Sequence, residues 1–103
     1  MEVRTLQDDR IWVNPSPASK GGLTEIGYRG LLAKSGADKV YLHYGTDGWK
    51  NPRTVPMSKR PDGSFATQIM ADAERSLEFC FKDSADHWDN NNGLNWYVPV
   101  HKK

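Results

Sequence analysis

The segment Leu77-Glu78-Phe79-Cys80-Phe81-Lys82 constrains this chain more than any other, because three large apolar side chains alternate there with polar or small ones. Only an extended strand puts Leu77, Phe79 and Phe81 on one face and Glu78, Cys80 and Lys82 on the other. The first three are expected in the core. Shorter stretches repeat the pattern. Thr24 to Gly30 alternates, with Leu31, Leu32 and Ala33 continuing or capping it, and Val40-Tyr41-Leu42-His43-Tyr44 places Val40, Leu42 and Tyr44 on one face and Tyr41 and His43 on the other. Phe65 to Ile69 alternates again, Thr54 to Met57 is a short candidate strand, and Trp96 to Val100 reads as the last. Ile11 and Val13 precede Asn14-Pro15-Ser16-Pro17, and because proline cannot donate to a ladder this first strand is expected at a sheet edge.

Between these strands stand turn signals: Lys20-Gly21-Gly22, Ser35-Gly36-Ala37-Asp38 and Pro61-Asp62-Gly63. Ile69 to Leu77 contains helix formers but is too short to hold a helix by itself. Six to eight short strands at this spacing predict an all-β fold, an antiparallel β-sandwich of immunoglobulin-like shape.

With 103 residues there is room for one core. The expected layout is an N-terminal tail over 1–9, the sandwich over 10–100 and a C-terminal tail over 101–103. Cys80 is the single cysteine, so no disulfide within the chain can assist the core. A formal net charge of +1 argues against a phosphate-binding nucleic-acid partner. Neither a signal-peptide h-region nor a bilayer-length apolar run is present in the sequence, so the expectation is a cytoplasmic chain as it stands, or a secreted one if it is part of a larger protein. A monomer with no membrane partner and no cofactor is expected.

Of the four tryptophans, Trp12 and Trp96 fall within strands, where edge or core packing accounts for them. Trp49 and Trp88 fall in polar stretches, Gly45 to Pro52 and Asp83 to Asn95, both read as loops. Two readings compete for them: each ring plugs an end of the core, or the pair forms a site. Their neighbours favour a site. A pyranose ring offers a C–H face that packs on an aromatic plane and a rim of hydroxyls that needs paired donors and acceptors. Asp86, His87, Asp89, Asn90, Asn91, Asn92 and Asn95 surround Trp88, and His43 precedes the Trp49 loop.

Val40 to Tyr44 followed closely by Trp49, and Phe79-Cys80-Phe81-Lys82-Asp83 leading to Trp88-Asp89-Asn90-Asn91-Asn92-Gly93-Leu94-Asn95, resemble the family-25 carbohydrate-binding modules, which are starch-binding domains. The resemblance runs from about Ile11 to Val100. It implies a non-catalytic module whose partner is an α-1,4-glucan such as starch, glycogen or a malto-oligosaccharide. The family's platform carries over to His43, Trp49 and Trp88, with Asp89, Asn92 and Asn95 in the same motif. The His43-to-Trp49 spacing is shorter than the family's, Lys82 replaces a frequent Asn and Trp96 a frequent Tyr; the shorter loop bears on the angle between the indoles.

Rival functions have less support. Three separated His and one strand Cys do not make a zinc site, and no nucleophile–base pair or glycine-rich phosphate loop is found. Asp83, Asp86 and Asp89 suggest a glycosidase pair only weakly, as all three share one loop. Aligning Gly93 with the invariant glycine of an EF-hand places Trp88 and Pro99 at ligand positions, which rules that motif out. The alternative is an immunoglobulin-like protein–protein interaction domain, because exposed Trp also marks interface hot spots.

Overall fold

Leu77, Phe79 and Phe81 are all fully buried, and the strand that carries them is the centre of the molecule. The computed structural model describes residues 10–91 and 93–101. Among these are ten strands, β1 (Ile11–Asn14), β2 (Ala18–Ser19), β3 (Leu23–Tyr28), β4 (Val40–Thr46), β5 (Lys50–Pro56), β6 (Ser58–Lys59), β7 (Phe65–Met70), β8 (Ser76–Asp83), β9 (Trp88–Asp89) and β10 (Trp96–His101), with one helical turn, α1 (Leu31–Lys34). Three of the ten, β2, β6 and β9, have only two residues, which leaves seven principal strands.

They form the two layers of a β-sandwich. One sheet runs β1-β3-β7-β6 and the other β2-β10-β8-β4-β5, with β9 also pairing to β8. Every pairing is antiparallel except that of β2 with β10. β1 lies at an edge, as expected from the prolines that follow it. The expected tail over 1–9 lies outside the described residues, as do residues 102–103 of the expected tail over 101–103, while His101 belongs to β10.

Between the sheets the aromatic rings interlock. Tyr28 stacks on Phe81 with centroids 4.2 Å apart, and Trp96, 1% exposed, meets Phe81 edge-on at 5.4 Å. Burying each such side chain contributes about 1.5–3 kcal/mol, so these contacts carry much of the fold. Trp12 is explained on the other sheet: its indole lies flat over Gly27 and donates from Nε1 to Glu25 Oε2 at 2.6 Å. Gly27 has to be glycine, since a Cβ there would come within 1.9 Å of the ring.

Three local expectations are revised. Leu31 to Lys34 turns into α1 because the Leu32 N–H is captured by the Tyr28 hydroxyl at 3.0 Å, a tertiary bond that the strand pattern does not reveal. Gly45 to Pro52 is mostly strand, as β4 runs through Thr46 and β5 starts at Lys50, leaving residues 47–49 as the turn. Trp88 and Asp89 pair with Lys82 and Phe81, so the long polar loop is interrupted by β9.

Candidate functional site

Residues directly opposed in a ladder share a face, so the register of β4, β8, β9 and β10 defines the outer surface of the second sheet. Tyr41, Lys82 and Trp88 form one row across it, His43 and Cys80 the next, and Gly45, Glu78 and Tyr97 the third. Trp49 folds back onto this surface from the turn between β4 and β5, with its ring and backbone over Gly45. His43 lies between the two indoles. Its ring stacks on Trp49 at 5.7 Å with planes 26° apart and meets Trp88 edge-on at 5.4 Å and 85°. The two indoles are therefore far from coplanar. Trp88 is 47% exposed and Trp49 partly so; neither plugs the core. Lys82 Nζ lies 5.5 Å from the Trp88 centroid and pairs with Asp86 at 2.6 Å.

Each tryptophan is carried by a turn built around an aspartate. Asp47 accepts the backbone N–H groups of Glu74, Arg75 and Ser76 at 3.0, 2.6 and 3.2 Å, which hold its carboxyl below the ordinary 3.8. Glu78 Oε1 accepts the N–H groups of Gly48 and Trp49 at 2.9 and 3.2 Å, and Oε2 accepts Ser76 Oγ at 2.5 Å. These bonds hold Trp49 at φ 71° and Asp47 at φ 49°, left-handed conformations that side-chain-bearing residues seldom adopt. At the second turn, Asp83 accepts the His87 N–H at 2.9 Å and the His87 ring Nδ1 at 3.0 Å, as well as the Ala85 N–H at 2.9 Å. The same contacts, the His87 N–H foremost, hold the Asp83 carboxyl low.

The polar residues divide between surface and support. His43 Nδ1 is engaged with Thr54 Oγ1 at 2.8 Å, which fixes the ring between the indoles. Asp89 is turned inward, only 7% exposed, and accepts the Tyr28 hydroxyl at 2.5 Å. Burial first, and this bond second, push the Tyr28 phenol well above its usual value. Asn95 is half-buried at φ 57°; its N–H donates to Asn90 O and its carbonyl accepts Asn91 Nδ2, while its own side-chain amide bonds to nothing among the described residues. Asn92 lies outside the described residues. Cys80, beside His43 in the ladder, is buried, and burial, with the Asp89 charge behind it, pushes the thiol up to about 11. A thiol so placed is a poor nucleophile.

The supporting residues Asp47 and Glu78 escape a sequence reading. Thr46-Asp47-Gly48 does signal a turn, but the partners of Asp47 and Glu78 lie 27 to 30 positions away along the chain. The three loop aspartates do not form a catalytic pair: Asp83 is spent on its own turn, Asp86 on Lys82 and Asp89 on Tyr28.

A β-sandwich bearing an exposed aromatic cluster on one sheet is an architecture suited to binding. Residues 24–79 match the family described as starch/carbohydrate-binding module (family 53). An alpha-amylase of Clostridium acetobutylicum is 40% identical over 95 residues, covering 89% of this chain and 12% of the amylase. No solved structure matches. The chain belongs to family 53 of the starch/carbohydrate-binding modules and is a non-catalytic module. The resemblance read from the sequence named family 25; what holds is the coarser expectation, a starch-binding module. The matched span contains His43, Asp47, Trp49 and Glu78 and ends before Trp88.

Proposed function

We propose that this module binds α-1,4-glucans, namely starch, glycogen and malto-oligosaccharides, by stacking successive glucose units on Trp49 and Trp88 across His43. The observation that carries the reading is the mutual angle of the rings. One indole plane lies 26° from the imidazole and the other 85°, so a chain that stacks on both has to turn between them. An α-1,4 chain curves from unit to unit; a β-1,4 chain is a flat ribbon that calls for coplanar rings. The likeness to family-25 modules supports the same three residues.

In this reading His43 presents Nε2, the ring nitrogen not engaged with Thr54, to sugar hydroxyls, and Asn95 offers its side-chain amide at the margin of the platform. Asp89 acts from below, holding the segment that carries Trp88, and Asn92 belongs to the same motif. The module works as a monomer, attached to or alongside a glucan-metabolising enzyme, an arrangement supported by the 12% share that the matched part takes of the amylase relative. Two shallow stacks with solvent-competed hydrogen bonds give a Kd of roughly 1 μM to 1 mM, about 4–8 kcal/mol. Linked copies on a polymer would bind more tightly by avidity.

Native electrophoresis in gels containing amylopectin, glycogen or no polysaccharide tests this. Retardation by both polymers is expected. Equal mobility in all three gels would contradict the proposal and favour a protein partner for the aromatic surface.

A further inference from the structure

Beside Trp88, a cleft of about 550 Å³ lies between α1 and the turn that Asp83 builds, lined by Leu31, Leu32, Ser35, Asp86, His87 and Trp88. We propose that this cleft is a further glucan subsite, taking the glucose units that run on beyond Trp88. The proposal rests on the α-glucan reading and adds to it a third contact region that sets the preferred chain length.

The cleft has the mixed character that a sugar requires. Leu31 is 61% exposed and faces a tryptophan that is 47% exposed, so an apolar patch is available for the C–H face of a ring. A single exposed leucine would be unremarkable, but here it stands across a cleft from a ring of the platform itself. Its size falls within the ~300–1,000 Å³ of small-molecule sites. Polar groups line the rest. His87 uses Nδ1 on Asp83 and keeps Nε2 available, Asp86 uses Oδ1 on Lys82 and keeps its second oxygen, and Ser35 Oγ donates to Leu31 O and can still accept.

α1 and the segment that carries Trp88 are tied to one buried relay. Leu32 N–H in α1 donates to the Tyr28 hydroxyl at 3.0 Å, and that hydroxyl donates to Asp89 Oδ2 at 2.5 Å, next to Trp88 in the chain. The opposite wall is held by the bonds of Asp83 to His87. A cleft fixed on both sides costs little ordering when it fills, which is what a useful subsite needs. Trp88 is common to platform and cleft, so a chain stacked on it needs no break to enter.

The test is calorimetric titration of the wild type and Leu31→Ser with maltotriose and maltoheptaose. Leu31 is exposed at the start of α1, and unchanged thermal midpoints will show that the variant folds. The variant is expected to bind maltoheptaose about five- to tenfold more weakly than the wild type, the weight of one partly shielded aliphatic contact, and maltotriose within about twofold. In parallel, the Ser35 and His87 amide NMR signals of the wild type should shift with maltoheptaose and stay in place with maltotriose. Equal affinities in the two proteins, an equal loss at both lengths, or Ser35 and His87 signals indifferent to chain length would overturn the subsite. A wild type that binds neither sugar would instead overturn the glucan reading, and the subsite with it.

Discussion

Replacing Glu78 with alanine removes the acceptor that holds the Trp49 turn in place. Two backbone N–H groups, those of Gly48 and Trp49, lose a charged partner, and Ser76 Oγ loses its own. Hydrogen bonds to a charged group contribute about 1.5–3 kcal/mol, and here the two backbone bonds share one carboxylate oxygen, so the lower half of that range applies to each. Opposing them is the conformational cost of two non-glycine residues at positive φ, Asp47 at 49° and Trp49 at 71°, about 1–2 kcal/mol apiece. With Glu78 gone, Asp47 holds the turn alone against a cost of similar size. The binding-competent turn then becomes a minority population, and the apparent affinity falls in proportion to that fraction. Together the two bonds supply about 3–4.5 kcal/mol; the surplus by which the wild-type turn exceeds its strain absorbs part of that, leaving a loss of about 1.5–3 kcal/mol, or roughly ten- to hundredfold in Kd. Glu78→Gln keeps an uncharged acceptor and should lose about half as much in free energy. Calorimetry with maltoheptaose reads the series. Wild-type affinity in Glu78→Ala would refute the idea that this carboxylate presets the Trp49 ring.

Other consequences are more direct. Trp49→Ala and Trp88→Ala should each weaken maltoheptaose binding by more than about tenfold, to the edge of detection, while Trp88→Ala shifts the thermal midpoint by less than about 4 °C, as fits a half-exposed ring. Asp47 and Asp83 both titrate below 3.8, so the stability they confer is complete above that value and lost as pH falls through the folded pKa; glucan binding, followed by tryptophan fluorescence, should fall away below about pH 4. Two glycine substitutions should behave oppositely. Gly45→Ala places a Cβ 2.7 Å from the Trp49 Cα and should abolish binding, whereas Gly27→Ala drives Trp12 off the other sheet, costing about 1–3 kcal/mol by chemical denaturation with affinity unchanged.

Alternation made the sandwich legible. Leu77, Phe79 and Phe81, or Val40, Leu42 and Tyr44, differ so sharply from their neighbours that period two leaves no conformation but a strand, and the same register puts His43 on the outer face. Trp49 and Trp88 stand out because large rings sit among turn residues. What the sequence hides depends on contacts between distant positions. α1 exists because Tyr28 captures an amide four residues on, and Asp89 reads as one more loop polar group until its bond to Tyr28, 61 residues away, turns it inward. Glu78 is likewise an ordinary strand polar residue until the fold brings the β4–β5 turn over it.

The central claim is that two indoles set at a large angle select a curved α-glucan. Its most direct test is the intrinsic fluorescence of the wild-type protein titrated in parallel with maltoheptaose and cellohexaose. The account predicts a saturable change with maltoheptaose, at a Kd in the roughly 1 μM to 1 mM range, and none with cellohexaose. An equal or stronger response to cellohexaose would contradict it.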